Sequence, residues 1–284
     1  MNFHKIKDGE HIIYSPIGHL MDSSETLKSG VYRVTNGSGP MQGYIPSFVP
    51  IKGGENLINF EGGVSKKILN KMKEFFSEET KEKYKFLKNT HKMGLILHGP
   101  QGTGKTCIAN LLMLQEVKSH EAICLDFTGE DIHRIIFTIN LIRKYQSTPI
   151  IIFYDEFEQI AEDYILLTFL DGNLSFDNVV FIGCTNFLNL IPDRIKNRKS
   201  RVKHLFEVKT LPTEVYREYI KGKLPDLEKK LLDEYVYKAA EADLTIDQLK
   251  NSIIDYYVDG TPIDKAIKEA KKLDKMDVGG EDDL

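Results

Sequence analysis

The sequence predicts an α/β protein: a parallel sheet covered by helices, a helical C-terminal lid, and a small β-rich module at the N-terminus. Three observations predict it. The runs Met93–His98, Ala122–Phe127, Pro149–Tyr154 and Asn178–Cys184 are apolar without alternation, as strands buried on both faces are. Stretches of helical period lie between them, the clearest with Ile132, Ile135, Ile136, Ile139 and Ile142 on one face. From Leu211 onward the helix-start signals recur without strands between them.

The N-terminal residues 1–62 read differently. Short β-prone pieces (Ile12–Tyr14, Val31–Val34, Tyr44–Val49, Leu57–Phe60) are separated by turn clusters such as Thr35–Pro40 and Lys52–Gly54. The expectation is a β-rich module for docking a partner or a neighbouring subunit, or else an irregular arm packed on the main domain. Glu61–Val64 reads as a hinge and Ser65 as the N-cap of a helix into Phe76, with charged helical sequence on to about Lys88. Residues 63–210 then form the α/β domain, with a helix over Asp131–Lys144 and another over Phe157–Leu170. Residues 211–284 form the lid. Helices start at Thr213 and Asp226, Thr245–Gln248 is a capping box, and Thr261–Pro262 supplies an N-cap and a proline at the first helical position. The acidic end Gly279–Leu284 reads as a frayed tail.

Composition excludes several classes. Of the 284 residues, 41% are hydrophobic and 28% charged, the balance of an ordinary globular protein, and a net charge of −4 gives no global sign of a nucleic-acid binder. No apolar run approaches the ~18 residues of a membrane span, and the polar start Met1–Asp8 is not a secretory signal. Cys107, Cys124 and Cys184 show no C-x-x-C spacing, which argues against a disulfide framework or zinc site. The expected compartment is cytoplasmic.

The chemistry starts at Gly99-Pro100-Gln101-Gly102-Thr103-Gly104-Lys105-Thr106, with Cys107 next, set between an apolar strand and an apolar helix. This is the G-x-x-x-x-G-K-[ST] phosphate loop. Its glycines let successive backbone N–H groups face phosphate oxygens, and the helix N-terminus adds its positive end. Lys105 is expected to reach the β- and γ-phosphates of ATP, and the Thr106 hydroxyl to hold Mg²⁺. Asp155 and Glu156 follow the buried run Ile150–Tyr154, at the strand end where ligands bind in parallel sheets. Asp155 is assigned to Mg²⁺ and Glu156 to the attacking water. Asn186, just after the next strand, can reach the γ-phosphate or that water.

Over about residues 65–260 the sequence resembles an AAA+ ATPase, and more closely the classical AAA clade. The resemblance rests on the phosphate loop, Asp155-Glu156, Leu166–Gly172 (similar to the clade's LL-x-x-(L/M)-D-G), Thr185-Asn186, Leu190–Arg194 and Arg198–Arg201. The last resembles R-P-G-R with Lys199 and Ser200 in place of Pro-Gly. Tyr84–Leu97 also resembles the mitochondrial Rieske-protein translocase type of AAA protein. The resemblance implies that Asn186 is the sensor-1 residue. It also implies that Arg198 and Arg201 are offered in trans to the ATP of a neighbouring subunit, in a homo-oligomer of hexameric form. Two regions that form pore loops in the clade are short here: three residues separate Phe127 from Asp131, and nine separate Glu156 from Leu166. Phe127 reads as the last core residue of its strand, and no sensor-2 arginine stands near Thr245–Asp247 or Gly260–Thr261.

The expected function is a ring ATPase that couples Mg-ATP hydrolysis to remodelling of a protein partner docked through residues 1–62. The alternative is a nucleic-acid-associated factor of helicase-loader or replication type, using the basic stretch Lys196–Lys203. A nucleotide-regulated scaffold does not need Glu156. A monomeric phosphate-loop kinase does not explain Asn186, Arg198 and the lid together.

Overall fold

The computed structural model describes residues 4–8, 11–15, 26–36, 45–51, 63–171, 176–209 and 211–276. The expectations at Leu57–Phe60, Lys52–Gly54 and Gly279–Leu284 lie outside these. The chain divides into two compact units. One, the sheet unit, comprises the described residues of Met1–Leu57, Leu69–His98 and Thr106–Phe206. The other, the loop-and-lid unit, comprises those of Ile58–Ile68, Gly99–Lys105 and Glu207–Leu284.

The sheet unit is built on strands β1 (His4–Asp8), β2 (His11–Ser15), β3 (Gly30–Asn36), β4 (Pro46–Pro50), β5 (Lys92–His98), β6 (Ile123–Asp126), β7 (Ile150–Tyr154), β8 (Val179–Thr185) and β9 (His204–Glu207). Among the described residues these nine form one sheet in the order β1-β2-β4-β3-β6-β7-β8-β5-β9. The neighbours from β3 through β6, β7 and β8 to β5 run parallel. The first four strands pair antiparallel among themselves. The fully apolar strands expected from the sequence are buried along their length: β6, β7 and β8 have no exposed residue.

Helices α1 (Gly63–Phe76), α2 (Glu78–Phe86), α3 (Lys105–His120), α4 (Ile132–Arg143), α5 (Tyr164–Asp171) and α6 (Asp193–Lys196) connect these strands. The isoleucine face of α4 packs as its period predicts, with Ile132, Ile135, Ile139 and Ile142 all at 0% exposure, and Asp131 accepts from Arg134 N as its N-cap. Leu27, Tyr32, Val34 and Phe48 belong to the same buried cluster as Leu125 and Ile139. The N-terminal strands therefore extend the sheet and share its core.

Some boundaries differ from expectation. The helix read over Phe157–Leu170 is a single 3₁₀ turn, Phe157–Gln159, and then α5 from Tyr164. Asp163 separates them by accepting from Ile165 N at 2.7 Å, a local bond that competes with a continuous helix. Ser65 lies inside α1, which begins two residues earlier, so it is not the N-cap. Ser77 caps α2 instead, accepting from Thr80 N.

The loop-and-lid unit contains α7 (Thr213–Lys223), α8 (Lys229–Glu241), α9 (Ile246–Tyr257) and α10 (Ile263–Met276). The Thr245–Gln248 capping box is present with both of its bonds. Helix α8 starts three residues later than its acidic stretch suggests, and Pro262 precedes the first helical residue of α10. Two buried tyrosines tie the lid together, Tyr216 donating to Leu244 O at 2.6 Å and Tyr235 to Ser252 Oγ at 3.0 Å. Burial and the Asp243 charge push the Tyr216 phenol well up, so it stays a donor at any physiological pH.

Candidate functional site

The register brings three strand ends to one edge. His98 of β5 lies opposite Thr185 of β8, and Gly183 of β8 opposite Tyr154 of β7. The residues that follow are Gly99, Asn186 and Asp155. Strand β5 sits next to β8 while the next strand in sequence, β6, lies beyond β7, so the chain changes direction at this edge. Such a switch point in a parallel sheet leaves a crevice at the carboxyl ends.

In the sheet unit the Thr106 hydroxyl donates to Asp155 Oδ2 at 2.8 Å. Asp155 is fixed by two further bonds: its N–H donates to Thr128 Oγ1 at 3.0 Å, and its Oδ1 accepts from Glu156 N at 3.1 Å. Glu156 is exposed and holds a left-handed backbone at φ 53° and ψ 48°, a conformation that costs a non-glycine residue about 1 kcal/mol or more. Phe157 holds that turn in place. It is fully buried and lies on Gly183, where an added Cβ would stand 2.9 Å from its ring. Gln159 Nε2 donates to Glu156 Oε2 at 2.5 Å. Thr185 is buried and accepts from Phe187 N, while Asn186 is half-buried beside it.

A contact from the N-terminal strands supports this edge. Arg33 of β3 donates from Nε and Nη2 to Asp126 Oδ2 at 3.1 and 2.6 Å, and Asp126 Oδ1 accepts from Thr128 N. Arg33 thus steadies the Thr128 turn that holds Asp155. Sequence reasoning missed this, since nothing in residues 1–62 suggested chemistry; an arginine inside a β-prone run was the only available signal. Gln159, three residues after Glu156, was missed as well.

In the loop-and-lid unit the loop Gly99–Lys105 is shaped by glycines at positive φ, with 149° at Gly99, 74° at Gly102 and 88° at Gly104. A Cβ on Gly99 would stand 2.1 Å from Val208 O, and one on Gly102 would stand 3.0 Å from Thr245 Oγ1. The loop and the start of α9 are also bonded directly, Ile246 N donating to Gly102 O at 3.0 Å. Lys105 is 6% exposed, and its ammonium donates to Gly99 O and Pro100 O at 2.9 and 2.7 Å. Thr103 Oγ1 donates to Pro100 O, while Pro100 and Gln101 are exposed and Cys107, in α3, is half-buried. Within its own unit the buried lysine and the glycine-shaped loop are groups of the kind that take phosphates, and within the sheet unit the hydroxyl–carboxylate pair is of the kind that takes Mg²⁺.

The two arginines are placed differently. Arg198 is exposed. Arg201 is 8% exposed and grips Asp171 bidentately, Nε to Oδ1 at 2.8 Å and Nη2 to Oδ2 at 2.7 Å, and also donates to Arg194 O. The guanidinium holds the Asp171 carboxyl below its ordinary range.

Comparison with known proteins agrees with this geometry. Residues 95–210 match the family model described as "ATPase family associated with various cellular activities (AAA)". Over these residues the chain is similar to AAA-type ATPase domains. The chain is 29% identical over 171 residues to the "ATPase family AAA domain-containing protein 2" of Pongo abelii, covering 52% of this chain and 15% of that protein. It is 28% identical over 222 residues to an "AAA ATPase forming ring-shaped complexes" of Corynebacterium diphtheriae, covering 63% of this chain and 43% of that one. It is 29% identical over 207 residues to a "Proteasome-activating nucleotidase" of Sulfurisphaera tokodaii, covering 62% of this chain and 51% of that protein. The chain therefore spans about half or less of these relatives. Within the matched residues lie Asp155, Glu156, Asn186, Arg198, Arg201 and the whole phosphate loop. Among the described residues no helix is long and apolar enough to cross a membrane.

The loop glycines give a stability prediction. Gly99→Ala places a methyl group against Val208 O at a φ that side chains avoid, at a cost of roughly 2–4 kcal/mol. The midpoint of thermal unfolding should fall by roughly 5–15 °C, with ATP binding lost. Calorimetry beside nucleotide titration checks both; unchanged melting would mean that the loop does not pack on Val208.

Proposed function

We propose that this chain is a subunit of a ring ATPase that couples Mg-ATP hydrolysis to remodelling of a protein partner. The observation that carries the reading is the Thr106–Asp155 hydroxyl–carboxylate bond, with Glu156 beside it in a left-handed turn. Lys105 and the loop N–H groups take the β- and γ-phosphates. Thr106 and Asp155 would hold Mg²⁺, which when bound neutralises charge on the phosphate oxygens. Glu156 orients the attacking water and accepts its proton, and Asn186 donates to the γ-phosphate or to that water. Arg198, with Arg201 behind it, offsets the charge that develops on the γ-phosphate of a neighbouring copy.

The ring is supported by the name of the Corynebacterium relative, and a "Proteasome-activating nucleotidase" is among the similar proteins. A hexamer is the form proposed, in the cytoplasm. Its parts are residues 1–62 as the partner-docking segment, 63–210 as the nucleotide-binding domain and 211–284 as the lid. The resemblance of Tyr84–Leu97 to the Rieske-protein translocase type supports reading the ATPase core as close to that branch. The short segments after β6 and after Glu156 favour remodelling at the ring's surface over threading of a chain.

The test is turnover per chain against chain concentration with Mg-ATP, beside sedimentation with and without nucleotide. Turnover is expected to rise cooperatively over the range in which a large species forms. Turnover independent of concentration in a monomer would sink the ring.

A further inference from the structure

At the start of β5 the sheet unit carries an open cleft of about 380 Å³, between the α2–β5 connection and the segment that follows α6. Its size lies in the range of ligand sites, ~300–1,000 Å³. Four lysines line it: Lys88, Lys92, Lys199 and Lys203. Among the described lining residues the one carboxylate is Asp171, and both of its oxygens are already held by Arg201. Among the described residues the lysine charge is therefore uncompensated within the cleft. Glu74, which also lies near Lys203, is paired with Lys71 at 2.7 Å.

The four cations differ in setting. Lys88, Lys199 and Lys203 are exposed. Lys92 is half-buried in the wall, where its ammonium donates to Leu170 O and faces Asp171 and Arg201. Burial is the main reason its pKa is drawn down to about 8, and the Arg201 charge adds to this against the pull of Asp171. A partly desolvated cation gains more from an arriving anion than an exposed one does. The hydroxyls of Thr90 and Ser200 and the amide of Asn89 supply neutral hydrogen-bond groups around the lysines.

The lining favours phosphates over a base or a side chain. Its one aromatic residue, Tyr84, is half-buried, with Lys203 Nζ 5.9 Å above its ring and His91 packed edge-on at 5.1 Å. That leaves little of a stacking platform of the kind single-stranded nucleic acid uses. Lys199 and Ser200 stand where the resembled R-P-G-R motif has Pro-Gly, so this part of the cleft departs from that motif.

We propose that the cleft is a second anion site, separate from residues 99–106, that takes a chain of phosphates. The shared chemistry is a linear di- or triphosphate, free or as the tail of a nucleotide. Its occupancy would not require Lys105 or Glu156, so the site does not rest on the ATPase reading.

The probe is sodium tripolyphosphate titrated calorimetrically into the full chain carrying Lys105→Met, with ATP in a parallel arm. Lys105→Met should retain tripolyphosphate binding. Adding Lys199→Ala and Lys203→Ala should weaken it about tenfold or more, by loss of charge-assisted bonds, and flatten its salt dependence. Lys88, Lys199 and Lys203 are exposed, so their replacement should not disturb the fold; Lys88→Ala serves as an independent second variant. If ATP displaces tripolyphosphate and binds more tightly, the source is a nucleotide tail; if the reverse, a free polyphosphate. Tripolyphosphate binding that vanishes with Lys105→Met, or that ignores all three lysine changes, overturns the site. A DNA duplex that binds through these lysines and is not displaced by tripolyphosphate also overturns it, in favour of a nucleic-acid surface. If Lys105→Met leaves ATP affinity and hydrolysis intact, it is the phosphate-loop assignment that fails, while the lysine comparison still reads the cleft.

Discussion

Replacing Glu156 by Gln should lower turnover by about 10²–10⁴-fold while leaving ATP bound, because the change removes a proton acceptor and nothing that holds the nucleotide. The structure makes this a clean substitution. Glu156 is exposed, its backbone bonds to Asp155 and Gln159 use main-chain atoms, and Phe157 rather than the carboxylate anchors the turn. Gln keeps the length and can still meet the Gln159 amide through its own oxygen, so melting should not change. The ATP-bound species should accumulate and, if the ring reading holds, should sediment as the largest assembly. Single-turnover kinetics with nucleotide binding measured in parallel decides it. Weakened ATP binding with turnover per bound ATP unchanged would remove Glu156 from the chemical step.

The placement of the candidate residues at the strand ends was legible because it is local. The loop Gly99–Thr106, the pair Asp155–Glu156 and Asn186 each follow an apolar strand directly, and the strand places the side chain without help from distant residues. The parallel core was legible for a related reason: strands buried on both faces need no alternation, and β6, β7 and β8 carry none. What could not be read is long-range. Arg33 meets Asp126 across 93 residues, and no local pattern in a β-prone run specifies which sheet it joins. The pairing of β3 with β6 depends on strand register, which emerges only when the faces pack. The Gly99–Val208 and Gly102–Ile246 contacts are likewise invisible in a motif whose glycines are read for phosphate alone. The break between Phe157–Gln159 and α5 shows the opposite failure. Helical spacing suggested one element, and a single aspartate side chain bonding to its local backbone was enough to divide it.

Arg198→Ala and Arg201→Ala should part company, although the sequence reads them as one motif. Arg198 is exposed, so its removal is expected to leave melting within about 0.5 kcal/mol of the parent. If it completes a neighbour's site, turnover should nonetheless fall by about 10³-fold or more. Arg201 is buried against Asp171 with three donated bonds, so Arg201→Ala strips a carboxylate of its partner and frees Arg194 O. The expected cost is about 2–3 kcal/mol, below the figure for a fully buried pair because Asp171 keeps 25% of its side-chain surface in solvent. The chain after Arg201 also runs over β5, where Lys203 N donates to Gly94 O at 2.8 Å and a Cβ on Gly94 would stand 2.3 Å from Arg201 O. Arg201→Ala should therefore loosen the segment that presents Arg198, and turnover should fall with stability. The pH dependence gives a second signature. Asp171 has its pKa lowered by Arg201, so the pair's contribution is complete above the ordinary carboxylate range and is lost as pH falls through the lowered value. Arg201→Ala should thus narrow the stability gap to the parent in acid, whereas Arg198→Ala, whose charge lowers the Asp171 pKa less, should show a weaker convergence. Mixing inactive Arg198→Ala with inactive Glu156→Gln completes the argument. An assembly in trans pairs an intact Glu156 site on one copy with an intact Arg198 on its neighbour, so some activity should return. If the mixture stays inactive while both variants co-assemble, Arg198 does not act across a subunit boundary.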